Sequence, residues 1–357
     1  MLPLGMRCRL AAMFAWGVIA AGCGDDDRPS IAADAGAGAL DASFARDAGP
    51  PPDAGPLEPG AWTVIVLPDT QIAAASHPNV FEAQTRWIVE ARDALNIQFV
   101  LHVGDITDDN GPSQWDAAYD ALSILDGEVP YVLAPGNHDL GPGGSAADRS
   151  TLLNAYFPLS RFEAEGSFGG AFEANRSENT YHVFETPGGP WLVLALEFGP
   201  RDAVLEWAGE IVRAHAGVPA ILVTHAYLYS DDTRYDWARY GAAQAWSPYT
   251  YGVASTPGGV NDAEQMFQAF IRESDDVRLV VSGHVLNDGV GRLTSELDGG
   301  GRVHQLLANY QHQPLGGAGF LRVMTFSADG ARVDVRTYSP YLDEHRRSAD
   351  DEFSLEL

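Results

Sequence analysis

From Trp62 onward, short apolar runs alternate with amphipathic segments of helical length. The runs at 62–67, 97–103, 130–134, 191–196, 220–223 and 277–281 are brief and dominated by apolar, often β-branched residues, which predicts strands. Between them, 79–95, 113–125, 202–215 and 261–274 carry apolar residues at helical spacing, which predicts helices. Such alternation is the pattern of a layered α/β domain. Asn79, Ser113 and Asp202 stand where N-caps are expected, and Asn261 with Glu264 has the spacing of a capping box.

The pattern changes towards the C-terminus. Segments 301–309, 319–326 and 331–338 read as strands separated by turns, with alternation clear at Val333, Val335 and Thr337, and are expected to finish a second sheet. Two long stretches, 141–179 and 227–260, lack clean periodicity and are rich in Gly, Ser, Tyr and Asp, as expected of loops over a functional face. No internal repeat is visible.

Ahead of this region the chain is built differently. Residues 24–60 are mostly Asp, Ala, Gly and Pro, with almost nothing to bury, so a disordered, self-repelling tether is expected. Residues 1–23 carry Arg7 and Arg9, an apolar run over 10–21 and then Gly22-Cys23, the order of an export signal. That run is too short for a comfortable membrane span. Its end, Ala20-Ala21-Gly22-Cys23, resembles a bacterial lipoprotein signal, which implies lipidation of Cys23 as the first mature residue; ordinary secretory cleavage nearby is the alternative. The expected organisation is signal 1–23, acidic linker 24–60 and one folded domain over 61–357.

Composition removes several chemistries. With 22 basic against 49 acidic residues the net charge is -27, which argues against nucleic acid or anionic lipid headgroups as partners. Every basic residue is Arg, so Schiff-base, P-loop and Ser-Lys chemistries are excluded, since each needs a lysine ammonium. Cys8 and Cys23 are the only cysteines, which leaves the folded part without a disulfide, thiolate zinc site or cysteine nucleophile. Any metal there must be held by His, Asp, Glu, Asn or Gln.

Five apolar runs end in such residues. They lead to Asp69, to Gly104-Asp105, to Gly136-Asn137-His138-Asp139, to His225 and to Gly283-His284. Ligands gather beyond the carboxyl ends of strands in open α/β sheets, so these positions are expected to converge. The ordered set Asp69, Gly104-Asp105-x-x-Asp108, Gly136-Asn137-His138-Asp139, His225, Gly283-His284 resembles the calcineurin-like metallophosphoesterase superfamily over about residues 62–338.

The resemblance implies an α/β fold of four layers, an αββα sandwich of two mixed sheets flanked by helices. It also implies two divalent metal ions, with Asp105 bridging them, Asn137, His225 and His284 completing one site, and Asp69 in the other. Two cations roughly 3.5 to 4 Å apart would clamp a phosphoryl group and supply a metal-bound hydroxide for in-line attack. His138 would serve as general acid or charge stabiliser at the leaving oxygen, with Asp108 fixing its tautomer, while Asp139 supports the loop.

Two imidazoles usual in the family are missing. The first motif reads Asp69-Thr70-Gln71 rather than Asp-x-His, and the last reads Gly283-His284-Val285-Leu286 rather than Gly-His-x-His. Gln71 offers an amide oxygen in compensation, and Asn287, Asp288 or Gln311 is the candidate fourth ligand. Such an oxygen-rich site favours Mg²⁺, Mn²⁺ or Ca²⁺ over zinc or iron, and the two sites are expected to differ in affinity. The Asp-Thr-Gln opening, with Asn309-Tyr310-Gln311 and Thr337-Tyr338-Ser339-Pro340, resembles a secreted bacterial branch of the superfamily.

Other residues carry weaker expectations. His102 lies on a strand and is read as a core or supporting group, while His77 and His312 fall in loops that could border the site. The aromatic stretch from Tyr227 to Tyr251 is read either as a substrate wall or as packing of an insertion. Arg176 and Arg234 are candidates to grip phosphate oxygens. The resulting expectation is a hydrolase of phosphate esters, monoester or diester, tethered to the cell envelope and acting on a small phosphorylated substrate. Its membrane contact is expected only through a lipid on Cys23. The alternative is a non-catalytic, metal-binding envelope lipoprotein with the same fold.

Overall fold

A computed structural model describes residues 56–357; the signal-like segment, Cys8, Cys23 and most of the acidic linker lie outside the described residues. The first half of the chain contributes strands β1 (Trp62–Leu67), β2 (Ile97–His102), β3 (Tyr131–Leu133), β4 (Phe168–Ala171), β5 (Thr180–Thr186), β6 (Gly189–Leu196) and β7 (Ala220–Thr224). The second half contributes β8 (Val277–Ser282), β9 (Val290–Glu296), β10 (Arg302–Ala308), β11 (Leu321–Phe326), β12 (Arg332–Ser339), β13 (Glu344–Arg346) and β14 (Phe353–Glu356).

They form two mixed sheets, ordered β13-β12-β11-β1-β2-β3, with β14 on β12, and β4-β5-β6-β7-β8-β10-β9. Parallel pairing in β1-β2-β3 and in β6-β7-β8-β10 brings the carboxyl ends of those strands to a common edge of each sheet. Alternation along β1 places Val64 and Val66 in the core between the sheets, with Phe99, Val193, Ile221 and Val281. Ile65 and Leu67 face the other way, onto helices α1 (Gln71–Ser76), α2 (Pro78–Ala91) and α3 (Pro112–Leu122). The second sheet is covered by α4 (Asp202–Ala214) and by α5 (Ala263–Met266), which continues as a π-helical turn over Phe267–Ile271. The layers therefore run αββα. Among the described residues no helix is long and apolar enough to cross a membrane.

The structure corrects the sequence reading in local ways. None of the expected N-caps is one. α2 and α3 begin at Pro78 and Pro112, whose fixed φ and missing N–H suit a first helical position, so His77 and Gly111 cap them and Asn79 and Ser113 lie inside. Arg201 precedes α4, and the capping box is Asp262 with Gln265, one residue beyond Asn261 and Glu264. The C-terminal strands do not all join the second sheet: β10 pairs with β8, but β11 and β12 return beside β1. β4, β5, β9, β13 and β14 were not expected; β4 holds two glycines and β13 and β14 are short, half-exposed edge strands.

At the end of the sandwich where β1 starts, aromatic rings close the core. Trp62 stacks on Phe326 at 4.1 Å, with Trp191 and Phe184 edge-on to it at 5.3 and 5.8 Å.

Candidate metal centre

At the opposite end, glycines make room for the polar groups of neighbouring motifs. A Cβ on Gly136 would overlap the Asp105 carboxylate, and one on Gly283 would overlap the Asp69 carboxylate. These two glycines are thus required by close approach, which explains the Gly-Asn-His and Gly-His spellings. The strand ends also carry backbone strain: Asp105 and His284 adopt left-handed conformations, φ 48° and 73°, each costing about 1–3 kcal/mol. The Asp105 carbonyl is held by the N–H of Thr70 at 3.0 Å.

The sequence-predicted positions converge. His225 Nε2 lies 3.1 Å from Asp105 Oδ2, 3.2 Å from Asn137 Oδ1 and 3.1 Å from His284 Nδ1. Asp105, His225 and His284 each offer an atom within 4.8 Å of the others. Backbone carbonyls orient both rings: His225 Nδ1–H donates to Val103 O at 2.9 Å, and His284 Nε2–H donates to Trp246 O at 2.8 Å. A carbonyl can only accept, so the remaining nitrogens, His225 Nε2 and His284 Nδ1, are the two that face each other, and each presents a lone pair when its ring is neutral. Asp69 lies against this group. It accepts the His284 backbone N–H at 3.2 and 3.1 Å and the Asn309 side-chain amide at 2.9 Å.

The electrostatics draw positive charge to the same point. Burial opposes a charged His225, yet Asp105 and then Asp69 outweigh it and raise the ring to about 9. Burial, and after it the His225 charge, lowers His284 to about 3. Burial would raise Asp105, but His225 and His138 hold it well below the usual carboxylate range. Burial raises Asp69 well above its ordinary value, partly countered by His225. A divalent cation among these groups would take the place of the His225 proton and relieve the crowding of buried carboxylates. The donor set fits such an ion.

His138 borders the centre. Its backbone N–H donates to Asp105 Oδ1 at 2.9 Å, and its ring Nδ1–H donates to the backbone carbonyl of Asp108 at 2.7 Å. The tautomer is therefore set by the Asp108 carbonyl; the Asp108 carboxylate stands 3.7 Å away. Burial lowers the His138 pKa, but Asp105 and the Asp108 carbonyl more than reverse this, so the ring is held charged to higher pH. Asp139 ties the loop down by accepting the N–H groups of Gly136, Ile106 and Thr107 at 2.8, 3.1 and 2.8 Å.

His102, read from the sequence as a core or supporting group, accepts the Gly104 N–H at 3.2 Å and bonds Thr70 Oγ1 at 3.0 Å, so it braces two motifs at once. Other supporting groups had no signal of their own in the sequence. Gln114 accepts the N–H groups of Asp108 and Asp109 at 2.6 and 2.9 Å. The Trp246 carbonyl comes from the 227–260 stretch, and a backbone oxygen leaves no residue-type signature. Asn309 was visible only as part of a branch pattern.

Other candidates are engaged elsewhere or lie exposed. Arg176 is paired with Glu173 and Glu178, and Arg234 bonds Glu264, Ser295 and Gln305 while lying over the Phe267 ring, so both guanidinium groups are committed to structural partners. Asn287, Asp288 and His312 are exposed, and His77 caps α2. Of the aromatic stretch, Tyr227 and Tyr235 are buried in packing, with the Tyr235 and Tyr251 rings 6.0 and 6.3 Å from His284.

A four-layer α/β sandwich with carboxylate, amide and imidazole groups gathered at its strand ends defines a protein built to hold cations at that edge. The chain belongs to the calcineurin-like phosphoesterase family, whose pattern matches residues 63–288. It is 33% identical over 310 residues to the Bacillus subtilis protein YvnB, described as uncharacterized; the match covers 83% of this chain and 22% of that one. The chain thus spans about a fifth of the length of that relative. A shorter match, 45% identical over 49 residues, is to an Arabidopsis thaliana protein described as probable inactive purple acid phosphatase 27, covering 13% of this chain and 8% of that one. Among solved structures, yellow lupin purple acid phosphatase PPD1 aligns with a TM-score of 0.47 and 15% identity, over 83% of this chain and 54% of that one. The Plasmodium inner-membrane-complex anchor GAP50 aligns at 0.45 and 13%, over 83% and 88%. These superpositions are too loose to carry residue roles across.

Proposed function

We propose that the protein is a metal-dependent hydrolase of phosphate esters that works outside the cytoplasm. The observation that carries this is the opposition of His225 Nε2 and His284 Nδ1 at 3.1 Å, with Asp105 and Asn137 oxygens beside them. Asp105, Asn137, His225 and His284 would hold one divalent ion, and Asp69, Gln71 and Asp105 a second. Ions there would polarise the phosphoryl oxygens and supply the attacking nucleophile. His138, held charged by Asp105 and oriented by the Asp108 carbonyl, gives its Nε2 proton to the leaving oxygen. Asp108 is a positioning residue for that step.

Family membership and the charged, oriented His138 favour catalysis over a purely structural cation, which has no use for a proton donor at the leaving group. The test is turnover of p-nitrophenyl phosphate or its bis-ester with added Mn²⁺, Mg²⁺ or Zn²⁺, abolished by a chelator. Absence of turnover with every divalent ion rejects the proposal. Attachment to the envelope through Cys23, rather than full secretion, belongs to the same reading and rests on the signal-like residues 1–23. Radiolabelled fatty acid should enter the wild-type chain and not Cys23→Ser.

A further inference from the structure

Two buried side-chain oxygens have no hydrogen-bond partner, Gln71 Oε1, two residues along the chain from Asp69, and Gln311 Oε1, whose residue is joined to Asp69 through Asn309. Each residue is only 6% exposed, so water is largely withheld from both amides. Leaving a buried acceptor unpaired is costly, and two such acceptors on segments that meet near Asp69 call for a common cause.

A side-chain contact fixes the orientation of the Gln71 amide, and a backbone contact ties Gln311 to the Asp69 neighbourhood. Gln71 donates its amide N–H to Asp108 Oδ1 at 3.3 Å; turning the amide over would set two oxygens against each other. Gln311 donates its backbone N–H to Asn309 Oδ1 at 3.0 Å, which in turn fixes the Asn309 amide nitrogen on Asp69 Oδ2 at 2.9 Å. Asn309 therefore presents its amide nitrogen to Asp69, and its oxygen is engaged by the Gln311 N–H. The chain just beyond Gln311 lies on α1, the helix that Gln71 opens: a Cβ on Gly316 would sit 2.6 Å from the Ala73 nitrogen. Gln71 and Gln311 thus belong to abutting segments. The competing candidates Asn287 and Asp288 are exposed.

We propose that Gln311, with Gln71 and the carboxylates of Asp69 and Asp105, forms an oxygen-only seat for a hard divalent cation, Mn²⁺, Mg²⁺ or Ca²⁺. Amide oxygens are neutral, hard donors, whereas the neighbouring centre has two imidazoles and suits zinc-like ions as well. The two seats then differ in kind, not only in strength. This inference rests on the reading of the centre as cation-binding and names the residue that takes over from the missing second imidazole of the last motif.

The full chain, stripped of metal, is titrated with Zn²⁺ and with Mn²⁺, free Mn²⁺ being read by electron paramagnetic resonance. The wild type should show one class of site that takes Zn²⁺ and needs His284, and a second that takes Mn²⁺ and is competed by Mg²⁺ or Ca²⁺. Gln311→Leu and Gln71→Leu should each weaken the second class at least about tenfold and leave the first unchanged. Gln311→Glu should restore it. If Gln311→Leu does not fold, Gln311→His decides, since Zn²⁺ should then enter the second site; an unchanged preference for Mn²⁺ overturns the proposal. Wild-type Mn²⁺ affinity in Gln311→Leu also overturns it and assigns the amides to bound water. A wild type that binds neither ion would instead overturn the underlying reading of the centre.

Discussion

Where β1 begins, Trp62 is fully buried against Phe326, Trp191 and Phe184, with no charged group in the cluster. Seven residues later the same chain reaches Asp69, a buried carboxylate beside a second one, two imidazoles, strained backbone and unpaired amide oxygens. One end lowers the free energy of the fold through apolar contact, and the other raises it and holds polar groups in place by the rigidity of the first. Stability and function are therefore separable along a single strand.

The strongest test of that separation is Asp105→Asn. It should cut phosphoesterase turnover on the order of 10³-fold or more, since the carboxylate proposed to serve both cation seats loses its charge. The melting temperature of the metal-free protein should change little, because the lost attraction of Asp105 to His225 and His138 is offset by relief of its repulsion with Asp69; a large fall would mean that the site end contributes to stability. Trp62→Ala is the converse. It should cost about 3–5 kcal/mol in denaturant unfolding while turnover per folded molecule stays within about twofold.

Metal removal comes next in size. A chelator should abolish turnover and lower the stability of the wild type by about 3 kcal/mol relative to protein held at a hundredfold excess over its dissociation constant. Asp105→Asn should show a much smaller shift in the same thermal scan. The smallest effect near neutral pH concerns His182, away from the centre, whose ring lies among Phe99, Phe162 and Phe168 and is lowered by burial to about 3. The unfolded chain binds this proton near pH 6.5 and the folded chain does not, so stability is full above that pH and falls as pH drops towards 3. The slope from this ring is at most about 1.4 kcal/mol per pH unit, and His182→Phe should flatten the denaturation midpoint against pH by that amount.

Much of this contrast was legible in the residues. Runs such as those of β1 and β8 are apolar on both faces because each sheet is covered on both sides, and that continuity reads directly as strand. β9 stayed hidden because most of it beyond Gly291 is exposed or half-exposed and its pattern is mixed, and the helix starts were missed because proline geometry outranked side-chain capping. At the centre, Asp69, Asp105, Asn137, His225 and His284 stood out because ligand-type residues ended successive strands. Val103 O, Trp246 O and Asp108 O orient imidazoles through backbone atoms, which no residue type announces. Gln311 became a candidate of a different kind only once its burial was visible.

The carbonyl of Trp246 reaches His284 from a backbone in the left-handed conformation, φ 60°, in a segment pinned by Tyr235 and Gln244. The irregular 227–260 segment is thus wired to a ring of the metal centre. Grafting a foreign loop there to retune what the site accepts would also unlock the imidazole, so substrate range and ion retention would drift together under selection rather than as independent traits.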